Sequence, residues 1–221
     1  MAEPDRQSFR AIVLVAGVAV VAAAIMSGSH EISAERIREN QRERLLQALD
    51  EVLGSETYDN DLVRDQIFVT DPDLLGRPDP VEVYLASRDG LPVAAIFASV
   101  APRGFNGAIE LLIGISAAGT VSGVRVTDHR ETPGLGDRIE IDKSRWITSF
   151  DGKSLAAPPV SEWSVVKDGG QFDAFTSATV TPRAVVRAVR DTLIYFQQNE
   201  AVLFSQLPAT NEDPGVPGVV Q

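Results

Sequence analysis

At 221 residues, 44% of them hydrophobic, the chain is long enough to bury one good core and to carry appendages. Its 31 acidic against 20 basic residues give a net charge of −11, and no Arg/Lys stripe with interleaved aromatics occurs, so nucleic acid is not an expected partner. The absence of Cys excludes disulfides, thiolate metal sites, iron–sulfur ligation and cysteine catalysis, and the lone His30 and His129 leave a His-built zinc site without a second nearby imidazole.

Residues 1–10 are a short amino end. From Ala11 to Met26 the sequence AIVLVAGVAVVAAAIM carries no charge, and with its flanks it approaches the roughly 20 residues that cross a bilayer. A cleaved signal peptide and a buried soluble helix are the competing readings; the length of the apolar stretch favours an anchor over residues 11–28. Arg6 and Arg10 precede the span, while Arg36, Arg38, Arg42 and Arg44 follow it among Glu31, Glu35, Glu39 and Glu43. A bare count of positive charges would leave the large domain in the cytoplasm, so charge alone does not decide orientation.

Residues 29–54 read as a juxtamembrane helix: Ile32, Ile37, Leu45, Leu46, Leu49, Val52 and Leu53 recur at mostly helical spacing, and Gly54 is a fitting stop. Residues 55–207 are expected to form the main domain. Its first part, TDPDLLGRPDP at 70–80, is a loop by its turn residues. Strands are predicted at 81–87, 92–101, 108–116 and 120–128, punctuated by Asp89-Gly90, Gly104 and Ala118-Gly119, in consecutive antiparallel order. A loop, DHRETPGLGDR, follows at 128–138; IDKSRWITSF reads as a short helix and EWSVVKDGGQFDAF as a hairpin around Asp168 to Gly170. A long helix from Thr181 to about Glu200 closes an α+β domain, an antiparallel sheet with packed helices, and residues 208–221 are expected to be a mobile tail.

The start of that last helix holds the most suggestive chemistry. Thr181 is a favoured N-cap type, and Pro182 suits the first helical position; Val185, Val189, Leu193 and Phe196 then line one buried face. Free N–H groups and the positive end of the dipole make such a terminus ready for a phosphate. Thr179 stands immediately before it, free for a role other than the cap; residue types alone leave open whether it has one.

The stretch Asp173-Ala174-Phe175-Thr176-Ser177-Ala178-Thr179-Val180-Thr181 resembles the flavinylation motif of the FMN-binding domain family: an Asp, two residues, Ser/Thr-Gly-Ala-Thr, an aliphatic residue and Thr/Ser. This chain has Ser177 where the family usually has Gly. A second stretch, His129-Arg130-Glu131-Thr132-Pro133-Gly134-Leu135-Gly136, is similar to the family's H-x-E-T-P-G-L-G loop, with Lys143, Trp146 and Phe150 following at their usual places. With the amino-terminal span, the resemblance covers nearly the whole chain, and the continuation TPRAVVRAV is similar to the members of the family found in Rnf electron-transport complexes.

The resemblance implies FMN attached through a phosphoester to Thr179, by a flavin transferase that uses FAD and a divalent metal, releases AMP and recognises Asp173. Thr176, Ser177, Ala178 and Thr181 complete the implied cofactor site, together with Glu131, Thr132, Pro133, Gly134, Leu135 and Gly136, whose backbone would approach the flavin ring. A glycine-rich chain reversal is the plainer reading of that loop. Glu131 is either a hydrogen-bonding group of the site or a solvated acid, His129 lines the pocket or is structural, and Trp146 and Phe150 read as core rather than flavin stack. No acid–base pair, nucleophile triad or metal ligand set emerges, which suits a domain whose cofactor carries the chemistry. The resemblance further implies an electron-transfer subunit of an ion-translocating complex coupling ferredoxin and NAD redox, anchored in a bacterial inner membrane beside other membrane, iron–sulfur and flavin subunits, with its flavin domain in the periplasm. The C subunit of the sodium-translocating NADH:quinone reductase and a cofactor-free periplasmic scaffold are the alternatives.

Overall fold

The structure, a computed structural model, describes residues 42–176 and 178–207 together with positions 16 and 39. The chain divides into two compact units, residues 1–45 and 46–221. In the first, the described positions are helical; the predicted anchor lies outside the described residues except for Ala16, and so do the tail at 208–221 and most of the juxtamembrane helix before residue 42. Among the described residues no helix is long and apolar enough to cross a membrane.

The second unit is built on five antiparallel strands in sequence order: β1 (Gln66–Val69), β2 (Val81–Arg88), β3 (Leu91–Ala101), β4 (Ile109–Ser116) and β5 (Val121–Asp128). The four strands predicted from residues 81 to 128 correspond to β2–β5. Asp89 and Gly90 both take positive φ (51° and 73°), the backbone that a two-residue hairpin turn between right-twisted strands requires. Ser116 and Gly119 close the β4–β5 hairpin.

The strands are buried along nearly their whole length rather than on alternate residues, because both sheet faces are covered. On one face, helix α1 (residues 42–53), which stops at Gly54 as predicted, brings in Leu49, Val52 and Leu53, all buried. Gly114 and Gly123 are paired across β4 and β5. A Cβ on Gly114 would lie 2.6 Å from Val52 Cγ1, and one on Gly123 would lie 2.7 Å from the Val52 carbonyl oxygen. The two glycines therefore form the flat place on which α1 rests.

On the other face lies α3 (Val180–Phe204). Val185, Val189, Leu193 and Phe196, the stripe read from the sequence, are all buried there with Val83, Phe97, Leu111 and Ile113 of the sheet. Phe97 meets Tyr195 and Phe196 edge-on, and Ser99 bonds Thr192 hydroxyl to hydroxyl at 2.9 Å, satisfying two buried polar groups between sheet and helix.

Four elements differ from expectation. β1 was not anticipated; it is short and its Phe68 is exposed, so it offers little apolar pattern. Within the predicted loop at 70–80, Asp71 caps a single turn, α2 (Pro72–Leu75), by accepting from the backbone N–H of Asp73 and Leu74. The expected short helix is a run of 3-10 turns, Arg145–Phe150. The expected hairpin around Asp168 is two 3-10 turns, Val160–Glu162 and Val166–Asp168, with an isolated parallel bridge from Val165 to Phe172. Aromatic packing holds this segment where a ladder does not: the Phe150 and Phe172 ring centroids lie 4.9 Å apart, and those of Trp163 and Phe172 5.0 Å.

Candidate functional site

The helix start differs from the sequence reading in a way that matters for chemistry. α3 begins at Val180, so its N-cap is Thr179, and Thr181 lies inside the first turn. Thr179 makes no side-chain cap bond, its backbone being already helical at φ −75°, ψ −25°. The Thr179 hydroxyl instead accepts a hydrogen bond from Lys167 Nζ at 3.0 Å. Thr181 is fully buried and donates its hydroxyl proton to the Glu131 carboxylate. The expectation that Thr181 caps the helix is thus corrected: the helix starts one residue before it, so Thr181 sits inside the first turn and its hydroxyl serves a tertiary bond.

Glu131 is 5% exposed, which excludes the solvated reading. Its carboxylate also accepts from the Asn106 backbone N–H at 3.0 Å, while the Asn106 side chain donates to Thr132 Oγ1 at 3.1 Å. Room for the carboxylate comes from missing side chains: a Cβ at Gly104 would lie 2.9 Å from one Glu131 oxygen, and a Cβ at Gly136 2.8 Å from the other. His129 Nδ1 accepts from the Glu131 N–H, and its Nε2 lies 2.9 Å from Glu140, so His129 braces the loop. One buried carboxylate thereby ties the loop after β5 to the first turn of α3.

The loop itself is a tight reversal. The Thr132 carbonyl accepts from the N–H groups of Leu135 and Gly136, and Gly134 takes φ +77°. Pro133, Gly134 and Leu135 stand exposed at the tip, Gly136 is buried and Thr132 is half-buried. The structure thus brings Glu131, Thr132 and Gly136 together with Thr181, and leaves the tip residues facing solvent.

The segment before Thr179 is also turned back on itself. Ala178 donates to the Phe175 carbonyl at 3.1 Å; Thr176 is exposed, and Ser177 lies outside the described residues. Asp173 is exposed, and its carbonyl accepts from Trp146 Nε1 at 2.8 Å. Phe175 is buried between the Trp146 ring, 5.3 Å away, and the Arg138 guanidinium, 4.9 Å from its centroid. Phe150 is fully buried, as read from the sequence, whereas Trp146 is half-buried against it.

Sequence reasoning missed Lys167, Asp168, Arg183 and Asn106. Asp168 accepts from Arg183 Nε at 2.5 Å and from Arg183 Nη2 at 2.8 Å, a two-point ion pair beside Thr179. Those hydrogen bonds hold the Asp168 carboxyl below its ordinary range. Lys167 and Asp168 lie in a turn read as a simple chain reversal, and no spacing rule links position 167 to 179. Around the Thr179 hydroxyl the site therefore offers an ammonium group and the positive end of a 25-residue helix, while the Arg183 guanidinium is taken up by Asp168. Such a constellation suits an ester of phosphate on that hydroxyl: the retained negative charge would meet two favourable partners, and no cap bond would be lost.

Comparison with known proteins gives a consistent picture. The profile of the FMN-binding domain family matches residues 104–194, a range that takes in the loop and Thr179. The G subunit of the ion-translocating oxidoreductase complex from Pseudoalteromonas atlantica is 44% identical over 194 residues, 88% of this chain and 89% of that protein. The G subunit from Pseudomonas aeruginosa is 44% identical over 208 residues, 94% of this chain and 97% of that protein. The crystal structure of Shewanella oneidensis NqrC is 26% identical, with 67% of this chain and 74% of that one covered and a TM-score of 0.45.

Proposed function

From a chain that belongs to the family of ion-translocating oxidoreductase complex G subunits, we propose an electron-transfer subunit that relays electrons between partner subunits through FMN esterified to Thr179. The observation that carries the assignment to this residue is the Thr179 hydroxyl: it stands at the head of α3, makes no cap bond and lies 3.0 Å from Lys167 Nζ. FMN would supply one- and two-electron chemistry that no side chain at this site offers. The chain's own part is positional and electrostatic. Lys167 would neutralise the phosphoester, Glu131 would fix the loop against the helix, and Thr132 to Gly136 would present backbone to the ring. Asp173, exposed before the helix, would be read by the flavin transferase during maturation.

Residues 11–28 are assigned as the single membrane anchor, with the flavin domain on the periplasmic side of a bacterial inner membrane. Covalent attachment suits that side, where no FMN pool would refill an empty site. Coupling of ferredoxin and NAD oxidation states belongs to the complex, with the nicotinamide and iron–sulfur sites on other subunits.

The test is direct. The protein is expressed with its transferase, denatured, run on a gel and excited in the ultraviolet. A fluorescent band is expected, and a dark band beside active transferase would favour the cofactor-free scaffold instead.

A further inference from the structure

A cleft of about 550 Å3 runs between α2, the end of β3 and the outer side of α3, and its lining includes Arg103, Arg183, Arg187 and Arg190 against Asp73 and Asp191. In a chain of net charge −11, a cleft whose lining has more guanidinium groups than carboxylates stands out. Arg183 and Arg190 are each held by an acid of this chain, Asp168 and Asp191. Arg103 and Arg187 have no such partner among the described residues, and both are exposed. The floor between them is apolar, with Val100, Pro102, Val180, Ala184 and Ala188. The wall opposite α3 is fixed: Gly76 ends α2 at φ +81° and packs so tightly that a Cβ there would lie 2.0 Å from the Val100 carbonyl oxygen.

The shape limits the occupant. α3 lines the cleft from Val180 to Asp191, a distance of roughly 16 Å at helical rise. That is a trough for a length of chain, too long for one phosphate. A bilayer surface needs a flat or convex face, and here the arginines stand on both walls of a concavity. We propose that the cleft seats an acidic segment of another subunit of the complex, whose carboxylates pair with the guanidinium forks of Arg103 and Arg187. The proposal rests on the reading of the chain as a complex subunit; the cleft begins at Val180, next to Thr179, but Arg103 and Arg187, on which docking depends, are not among the residues that would hold the flavin. An acidic segment is repelled by the rest of this surface, so the cleft sets the orientation of docking as well as its strength.

The test uses the intact complex. With Arg187→p-benzoylphenylalanine, illumination followed by mass spectrometry is expected to yield a cross-link to one segment of another subunit rich in Asp or Glu. Cross-links to lipid alone, to a segment without acids, or to nothing would overturn the proposal. In parallel, Arg103→Glu with Arg187→Glu is expected to reduce the fraction of this subunit retained on the complex at physiological salt by about tenfold. The thermal melt and the in-gel flavin fluorescence of that variant are expected to be unchanged, and Glu→Arg changes in the cross-linked segment are expected to restore retention. Unchanged retention would overturn the proposal. A dark wild-type band would count against the flavin assignment alone.

Discussion

Thr179 and Thr181 are two residues apart and chemically alike, yet the fold gives them opposite environments. Thr179 faces Lys167 at the surface, whereas Thr181 is sealed against Glu131. Thr179→Ala is expected to abolish in-gel flavin fluorescence, while Thr176→Ala leaves it. Thr181 is no neutral control: Thr181→Val leaves a buried carboxylate one donor short and is expected to lower unfolding free energy by about 1–3 kcal/mol, measured by urea titration. Lys167→Met, which keeps the stem and removes the charge, is expected to slow flavin attachment without shifting the melting temperature. At Asp168, whose folded-state pKa is depressed by Arg183, the sign is that of a stabilising contact present above the ordinary carboxylate range and lost only as pH falls through the lowered value. An NMR titration should find that carboxyl below an ordinary exposed Asp, and Arg183→Ala should return it to the usual range. Both groups are exposed, so the effect on global stability is small.

At the scale of elements, what was legible depended on how local the cause was. β2 to β5 were readable because their turns announce themselves: Asp89-Gly90 needs positive φ, and Gly119 ends a short apolar run. The buried stripe of α3 was readable from its spacing, but its first residue was not. The motif pointed to Thr179 as the modified residue, while capping preference pointed to Thr181 as the boundary; a tertiary bond to Glu131, fifty positions away in sequence, decides the matter. β1 and the 3-10 segment were illegible for the same reason, since sheet pairing with β2 and the Phe150–Trp163–Phe172 cluster fix them from outside. The seat of α1 on Gly114 and Gly123 gives a prediction at this scale. Gly123→Ala places a methyl against the Val52 backbone and is expected to cost about 1–3 kcal/mol by overpacking. Hydrogen exchange should show the loss first in the amides of Leu49 to Leu53, with α3 still protected.

For the whole molecule, the absence of cysteine is an experimental convenience. Leu91→Cys, at an exposed position of the β2–β3 hairpin, introduces a single thiol on the main domain. A membrane-impermeant maleimide is expected to label it in intact cells with a permeabilised outer membrane; labelling only after lysis would place the domain on the cytoplasmic side. Orientation was the property least accessible from residue counts, because the arginines after the predicted span argue one way and the cofactor logic the other. Net charge and family were readable at once, whereas the arginine cleft was not: Arg103 and Arg187 are far apart in sequence and meet only because α3 crosses the sheet beside the end of β3.

The buried bond between Thr181 and Glu131 has a mechanical corollary. It pins the first turn of α3, and with it the residue proposed to bear the flavin, to the body of the domain. Thr179 is accordingly a fixed post rather than the tip of a swinging arm. Within the domain, any travel of a tethered ring would come from torsions of the cofactor's own ribityl phosphate, so the distance it can bridge there is set by the tether's length. Loosening the post, as Thr181→Val does, would blur that reach without adding to it.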